Sequence, residues 1–202
     1  MNSHNFEQAR GYTENRLERE LSPHLFYHGI AHTREEVVPA VETLAGMEGV
    51  QGTSLYLLLT AAWFHDIGYV EQAINHELIG SQIAVQVLPS CGYTEAQVEI
   101  VRGAILATVL PQSPRNLLEE VLADADLAVL GRENFMQRNG DLRRELEFLG
   151  TEFTDEEWYA GQLNFLAAHK YFTASARALR DAQKALNIVE LRKALEKLAS
   201  KD

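Results

Sequence analysis

The apolar run at residues 55–64, closing on Trp63-Phe64-His65-Asp66-Ile67-Gly68-Tyr69, constrains this chain most. It is longer than a typical strand and apolar nearly all round. Residues 53–66 are therefore expected to form a helix in the centre of a core, with Gly68 as its stop. The run is too short to cross a bilayer, which takes about 20 apolar residues. It also sets an imidazole directly beside a carboxylate. Both are good ligands for a borderline divalent metal, and two adjacent side chains cannot complete a site. The chain offers further ligands on either side: Tyr27-His28-Gly29-Ile30-Ala31-His32 upstream, and Asp124-Ala125-Asp126-Leu127 downstream. The working expectation is one metal held between helices by His32, His65, Asp66 and Asp126.

Around that run the chain reads as helix after helix. Residues 1–8 look like a loose start, and residues 9–21 are charged and helical until Ser22-Pro23 interrupts them. A helix follows from the His28/His32 segment to Met47, with Pro39 inside it, so it either kinks or restarts there. Residues 74–88 form a helix ended by Pro89 and Gly92. Thr94 and Gln97 make a capping box for a helix that puts Val98, Val101, Ile105 and Val109 on one face, ended by Pro111 and Pro114. Asn116 caps a helix through Leu130. Residues 133–149 are helical and rich in Arg and Glu. Thr154 and Glu157 cap a helix to His169. The last segment, 175–199, is amphipathic through Leu179, Leu186, Val189, Leu195 and Leu198. Its apolar face either packs back on the body or meets a second copy as a homodimer contact. No period-two alternation and no repeat is visible. The expected fold is an all-α, single-domain bundle of about eight to nine helices over 1–202, with a motif core at 27–131 and a C-terminal extension at 133–200.

Composition narrows the partners. A formal charge of −11 argues against nucleic acid, which needs basic patches. Nothing reads as a membrane span or a secretion signal, and one cysteine, Cys91, fits a reducing cytoplasm. Cys91 reads as an unremarkable loop residue. An acidic chain can still bind a small phosphorylated substrate, because a metal reverses the field inside one cleft.

Taken singly, the pieces are weak signals. His28 and His32 share a helical face, as a proton donor and a ligand would, but so do many surface histidines. Asp124 and Asp126 sit among leucines, so at least one is expected to face inward and to need a partner there. Together, Tyr27-His28-x-x-x-His32, His65-Asp66, Asn75-His76-Glu77, Ile105-Leu106-Ala107-Thr108 and Asp124-Ala125-Asp126-Leu127 resemble the HD superfamily of metal-dependent phosphohydrolases. The resemblance spans about half the chain. The remainder, including Trp158 and His169-Lys170-Tyr171-Phe172-Thr173, looks like a bacterial subgroup of predicted phosphohydrolases.

That resemblance implies an enzyme that cleaves a nucleotide or another small phosphate ester with a metal-activated water. The implied ligands are His32, His65, Asp66 and Asp126, with Asp124 as the alternative to Asp126. His28 matches a general acid. His76 matches a position that helps to hold a second ion in two-metal relatives, and here would contact substrate phosphate or cap a helix. Thr108 stands where those relatives carry a histidine, which implies a single ion. Gly29 departs from the asparagine of related phosphodiesterases. The N/O ligand set suits Mn, Fe, Co, Ni or Zn. Arg34, Arg102, Arg115 and Lys170 are candidate phosphate-binding cations, each with a solvated surface role as the alternative. A ligand-binding or signalling domain without turnover, and a di-iron oxygenase, are the competing functions.

Overall fold

Every residue from Leu57 to Asp66 is buried, and the chain is wrapped around this segment. The computed structural model describes residues 3–200, with side chains from residue 5 onward. Among the described residues there are nine α-helices and no strand. They are α1 (Ser3–Glu20), α2 (Val38–Met47), α3 (Gly52–Phe64), α4 (His76–Val87), α5 (Glu95–Leu106), α6 (Leu117–Asp126), α7 (Phe135–Phe148), α8 (Asp155–Ala168) and α9 (Ala174–Ala199). The expected all-α class is what the chain adopts. No helix among them is long and apolar enough to cross a membrane.

Helix α3 is the central rod, touched by α1, α2, α5 and α6. Its β-branched and aromatic residues cost at most about 0.7 kcal/mol each in helix propensity. Burying each large apolar side chain returns about 1.5–3 kcal/mol. Packing therefore decides the conformation. The helix ends at Phe64, and Asp66 leaves it at φ −103° and ψ 3°, opening a 3-10 turn over Ile67–Val70. Gly68 is not the stop that the sequence suggests. It lies inside that turn because α4 starts against it: a Cβ there would sit 2.0 Å from the His76 carbonyl oxygen.

The expected loose start at residues 1–8 is corrected: α1 already runs from Ser3, with tertiary contacts from Asn5 onward, and residues 1–2 lie outside the described residues. Phe6 is buried with its ring 5.6 Å from that of Tyr56, and Asn5 Nδ2 donates to the Cys91 carbonyl at 2.8 Å. Cys91 is itself buried in the core.

Pro39 resolves as a restart. Residues His32–Val37 form a π-helical turn, in which the Val38 N–H bonds to the Thr33 carbonyl, and Pro39 then opens α2. In an unbroken α-helix the ring of Pro39 would clash with the Glu35 carbonyl, and the widened turn removes that clash. Both capping boxes form, with Gln97 N to Thr94 Oγ1 at 3.4 Å and Glu157 N to Thr154 Oγ1 at 3.2 Å. Asn116 Oδ1 accepts from the backbone of Leu118 and Glu119 at 3.1 and 3.2 Å. Val98, Val101 and Ile105 are buried as expected. Val109 is exposed, because α5 stops at Leu106.

The C-terminal helices build a second, smaller core from Tyr27, Val129, Leu130, Phe135, Leu166 and Leu191. Helix α9 packs on α8 and on the 3-10 turn Leu127–Gly131. Its buried residues are Lys184, Asn187 and Leu191, with Ala176 in the large core; of the expected apolar face Leu195 and Leu198 are half-buried, whereas Leu179, Leu186 and Val189 face outward. The face that looked apolar in sequence is thus not the inner one, since two polar residues of the inner face find partners. Asn187 Nδ2 donates to the carbonyls of Leu130 and Arg132 at 2.8 and 2.9 Å. Lys184 Nζ donates to the His169 carbonyl and to its Nδ1. Burial and the neighbouring Lys184 charge push the His169 imidazole down to about 4.

Two outcomes follow from these contacts. Gly68→Ala forces the α3–α4 connection apart and lowers stability by about 2–4 kcal/mol, whereas Gly11→Ala on the open face of α1 raises it by about 0.5–1 kcal/mol; urea melts of both variants measure the contrast. The second concerns His169. The unfolded chain protonates this group near its ordinary 6.5 and the folded chain only near 4. Its contribution is therefore intact above pH 6.5 and is lost as the pH falls towards 4. Melts across that range lose less stability in His169→Gln than in the parent.

Candidate metal centre

The two cores meet where the end of α3, the π turn and the end of α6 converge. His65 caps α3 and Asp66 is the next residue, so one lies above the other on the outgoing chain. His32 opens the π turn, and Asp126 is the last residue of α6. His65 Nε2 lies 3.1 Å from Asp66 Oδ2 and 3.6 Å from Asp126 Oδ1. His32 Nε2 lies 3.4 Å from Asp126 Oδ1 and 3.8 Å from Asp66 Oδ2. His32, His65 and Asp66 are buried and present ligand atoms within 4.8 Å of one another. Asp126 joins them from the cavity side through both imidazoles.

Each imidazole is already oriented. His65 Nδ1 bonds the Ala62 carbonyl at 2.7 Å, and His32 Nδ1 bonds Glu36 Oε2 at 2.9 Å. Both acceptors place the proton on Nδ1 and leave the Nε2 lone pair for the centre, the arrangement typical of metal-ligating histidines. Glu36 is held in turn by Arg138, whose Nη2 donates to its Oε2 at 3.2 Å.

The residues fit a divalent ion. His65 Nε2 and Asp66 Oδ2 are buried and have no hydrogen-bond partner, although they lie only 3.1 Å apart, because they are not aligned for a bond. Zinc holds N and O ligands tetrahedrally at about 2.0–2.2 Å, which puts adjacent ligands about 3.3–3.6 Å apart. The spacings here bracket that range. The electrostatics agree. Burial would lower the His65 pKa, but Asp66 and Asp126 outweigh it and hold it well above the ordinary value. Burial would raise Asp66, but His65 and His76 hold it well below the carboxylate range. Burial would raise Asp126 also, yet His32 and His65 push it down to about 2. The two carboxylates are thus ionised beside the imidazoles, and a divalent cation at the same place would balance the same negative charge.

Asp124 is engaged elsewhere. Its oxygens accept from the backbone N–H groups of Phe172 and Thr173, both at 2.8 Å, and from Thr173 Oγ1 at 2.7 Å. It pins the loop that leads into α9.

A cavity of about 340 Å³ opens beside the cluster. His28, Asp66, Tyr69, His76, Thr108 and Asp126 line one end of it. His28 Nδ1 meets Glu145 Oε1, and Glu145 Oε2 accepts the backbone N–H groups of Tyr27 and His28 at 2.8 and 3.0 Å. Burial would raise the Glu145 carboxyl, but His28 outweighs it and keeps it ionised. His76 does not cap α4; Asn75 stands at that position, and His76 Nε2 instead lies 3.3 Å from Asp66 Oδ1. Tyr69 packs its ring against His28 and His76, with centroids 4.4 and 4.1 Å away. Thr108 Oγ1 donates to the Ile105 carbonyl at 2.8 Å.

The cations expected for phosphate do not line the cavity. Arg102 pairs with Glu99 at 3.0 Å and borders a separate surface pocket with Arg115. Arg34 pairs with Glu14 and Glu18, and Lys170 is exposed beside a neighbouring groove. Each lies at the surface, ion-paired or exposed, rather than against the apolar walls of the cavity. Sequence reading missed Glu36, Arg138, Glu145 and Tyr69. The available signal for Glu145 was a carboxylate set between Leu142 and Leu146 on the apolar stripe of α7. Compared with protein-family models, with curated proteins and with solved structures, the chain has no match.

The two aspartates separate cleanly in a stability measurement. Asp124→Asn puts an amide NH₂ group against one or two of these three donors and lowers unfolding free energy by about 1–3 kcal/mol. Thermal melts of the variant carry the same loss with or without added divalent metal.

Proposed function

We propose that this chain is a metal-dependent hydrolase that cleaves a phosphate ester of a small molecule. The observation that carries the reading is the pair of buried, partnerless ligand atoms, His65 Nε2 and Asp66 Oδ2, converging with His32 Nε2 and Asp126 Oδ1 at the end of a cavity. The order of the motifs in the sequence supports phosphate esters as the substrate class. His32, His65, Asp66 and Asp126 would hold one divalent transition ion from the group Mn, Fe, Co, Ni and Zn. Such an ion supplies Lewis acidity and a water acidic enough to attack near neutral pH.

The remaining work falls to side chains of this chain. Glu145 accepts the Nδ1 proton of His28 and fixes the ring, and in the doubly protonated ring Nε2 carries the proton to be donated to the leaving oxygen. Tyr69 holds the His28 and His76 rings on the cavity wall. Asp66 directs Oδ2 at the centre while Oδ1 receives His76 Nε2, which orients the carboxylate. The apolar far wall limits the water that reaches the cluster.

Protein purified without chelator or metal-binding tag is expected to carry about one transition metal per chain by elemental analysis. Asp66→Ala loses the metal and hydrolysis together. His28→Asn keeps the metal and lowers kcat about 10²–10⁴-fold. A metal-free chain that takes up none of the five ions, or full turnover by Asp66→Ala across a panel of phosphate esters, removes the reading.

A further inference from the structure

The wall opposite the metal ligands is built for something other than a polyphosphate. Leu130, Phe135, Leu142, Leu146 and Phe165 line it, and no lysine or arginine among the described residues does. Burying a chain of phosphates there would strand several charges without a partner. In that apolar wall stand two amides, Asn139 and Gln162.

Their hydrogen bonds have one consistent direction. The indole N–H of buried Trp158 can only donate, and it donates to Asn139 Oδ1 at 2.7 Å. Asn139 must then offer its nitrogen onward, and Nδ2 donates to Gln162 Oε1 at 2.6 Å. With its oxygen used, Gln162 is left with its NH₂ group, for which no partner exists among the described residues. A tryptophan in the second core thus fixes the polarity of an amide on the cavity wall. In the free protein that donor is left to water in the cavity, and a ligand that displaces the water must supply an acceptor to keep the bond.

Resting on the hydrolase reading above, we propose that the organic part of the substrate is a compact apolar group carrying a hydrogen-bond acceptor, such as a carbonyl oxygen, which Gln162 Nε2 receives while the phosphate lies at the metal end. Trp158 and Asn139 are positioning residues, and Gln162 determines specificity. Nucleoside triphosphates are excluded as preferred ligands by the wall.

The test is binding of non-hydrolysable phosphonates to the metal-loaded protein by calorimetry. The probes are benzyl- and biphenylmethylphosphonates bearing an acetyl group at the far end, against their isopropyl isosteres. In at least one of the two lengths the acetyl compound binds about tenfold tighter. Gln162→Glu still accepts from Asn139 but has no N–H to give, so it abolishes the preference at an unchanged melting temperature; Gln162→Leu abolishes it too. Equal binding of the isosteres at both lengths, a preference that survives both substitutions, no binding of any of the four phosphonates, or ATP bound more tightly than all four overturns the inference. The hydrolase reading fails separately. Acetyl preference in binding with no ester hydrolysed sinks that reading and leaves this subsite. Hydrolysis of the matched esters with no preference does the reverse.

Discussion

Two carboxylates and two imidazoles, drawn together at the end of the most apolar helix of the chain, set the terms for everything around them. Asp66 is 3% exposed and His65 fully buried. Ionised groups at that depth cost several kcal/mol each unless compensated. Protons on the imidazoles would balance the charge, yet the closest pair is misaligned for a hydrogen bond and leaves two buried atoms unsatisfied. A cation at the common centre would meet all four ligand atoms at once. The elements whose ends deliver these atoms, α3, α6 and the π turn, are held by packing distant from the site. The unfavourable cluster is therefore sustained by the large core rather than by its own contacts.

The second core supplies orientation. Arg138 and Glu145 both come from α7, outside the segment that carries the ligands. Arg138 holds Glu36, which fixes His32, and Glu145 fixes His28. Arg138 also donates to the carbonyls of Phe26 and Tyr27 at 3.1 and 2.8 Å, so one guanidinium ties the loop before the π turn to the C-terminal body. The C-terminal helices are thus part of the site: they set two histidine rings and wall the cavity.

Local rules in the sequence carried far. Capping residues at Thr94, Asn116 and Thr154 mark helix starts because their bonds are made within one turn. The His65-Asp66 step was legible because it closes an apolar run. What was not legible depends on long-range partners. Phe6 extends α1 only because Tyr56 receives it. The inner face of α9 is set by Asn187 and Lys184 finding carbonyls, which periodicity counts as polar and therefore outer. Asp124 and Asp126 are two residues apart, and only the loop before α9 shows which one is occupied. Charge in sequence also misled: Arg102 and Lys170 remained in water, while Glu36 and Glu145, ordinary acids in a charged stretch, became the supports of the histidines.

The most direct measurement is X-ray absorption at the metal edge of protein reconstituted with one equivalent of zinc or manganese. The account predicts a first shell of nitrogen and oxygen only, with the outer-shell scattering of two imidazoles, reduced to one in His65→Ala. A shell containing sulfur, or one whose imidazole scattering is absent or unchanged in that variant, would place the ion elsewhere and contradict the account.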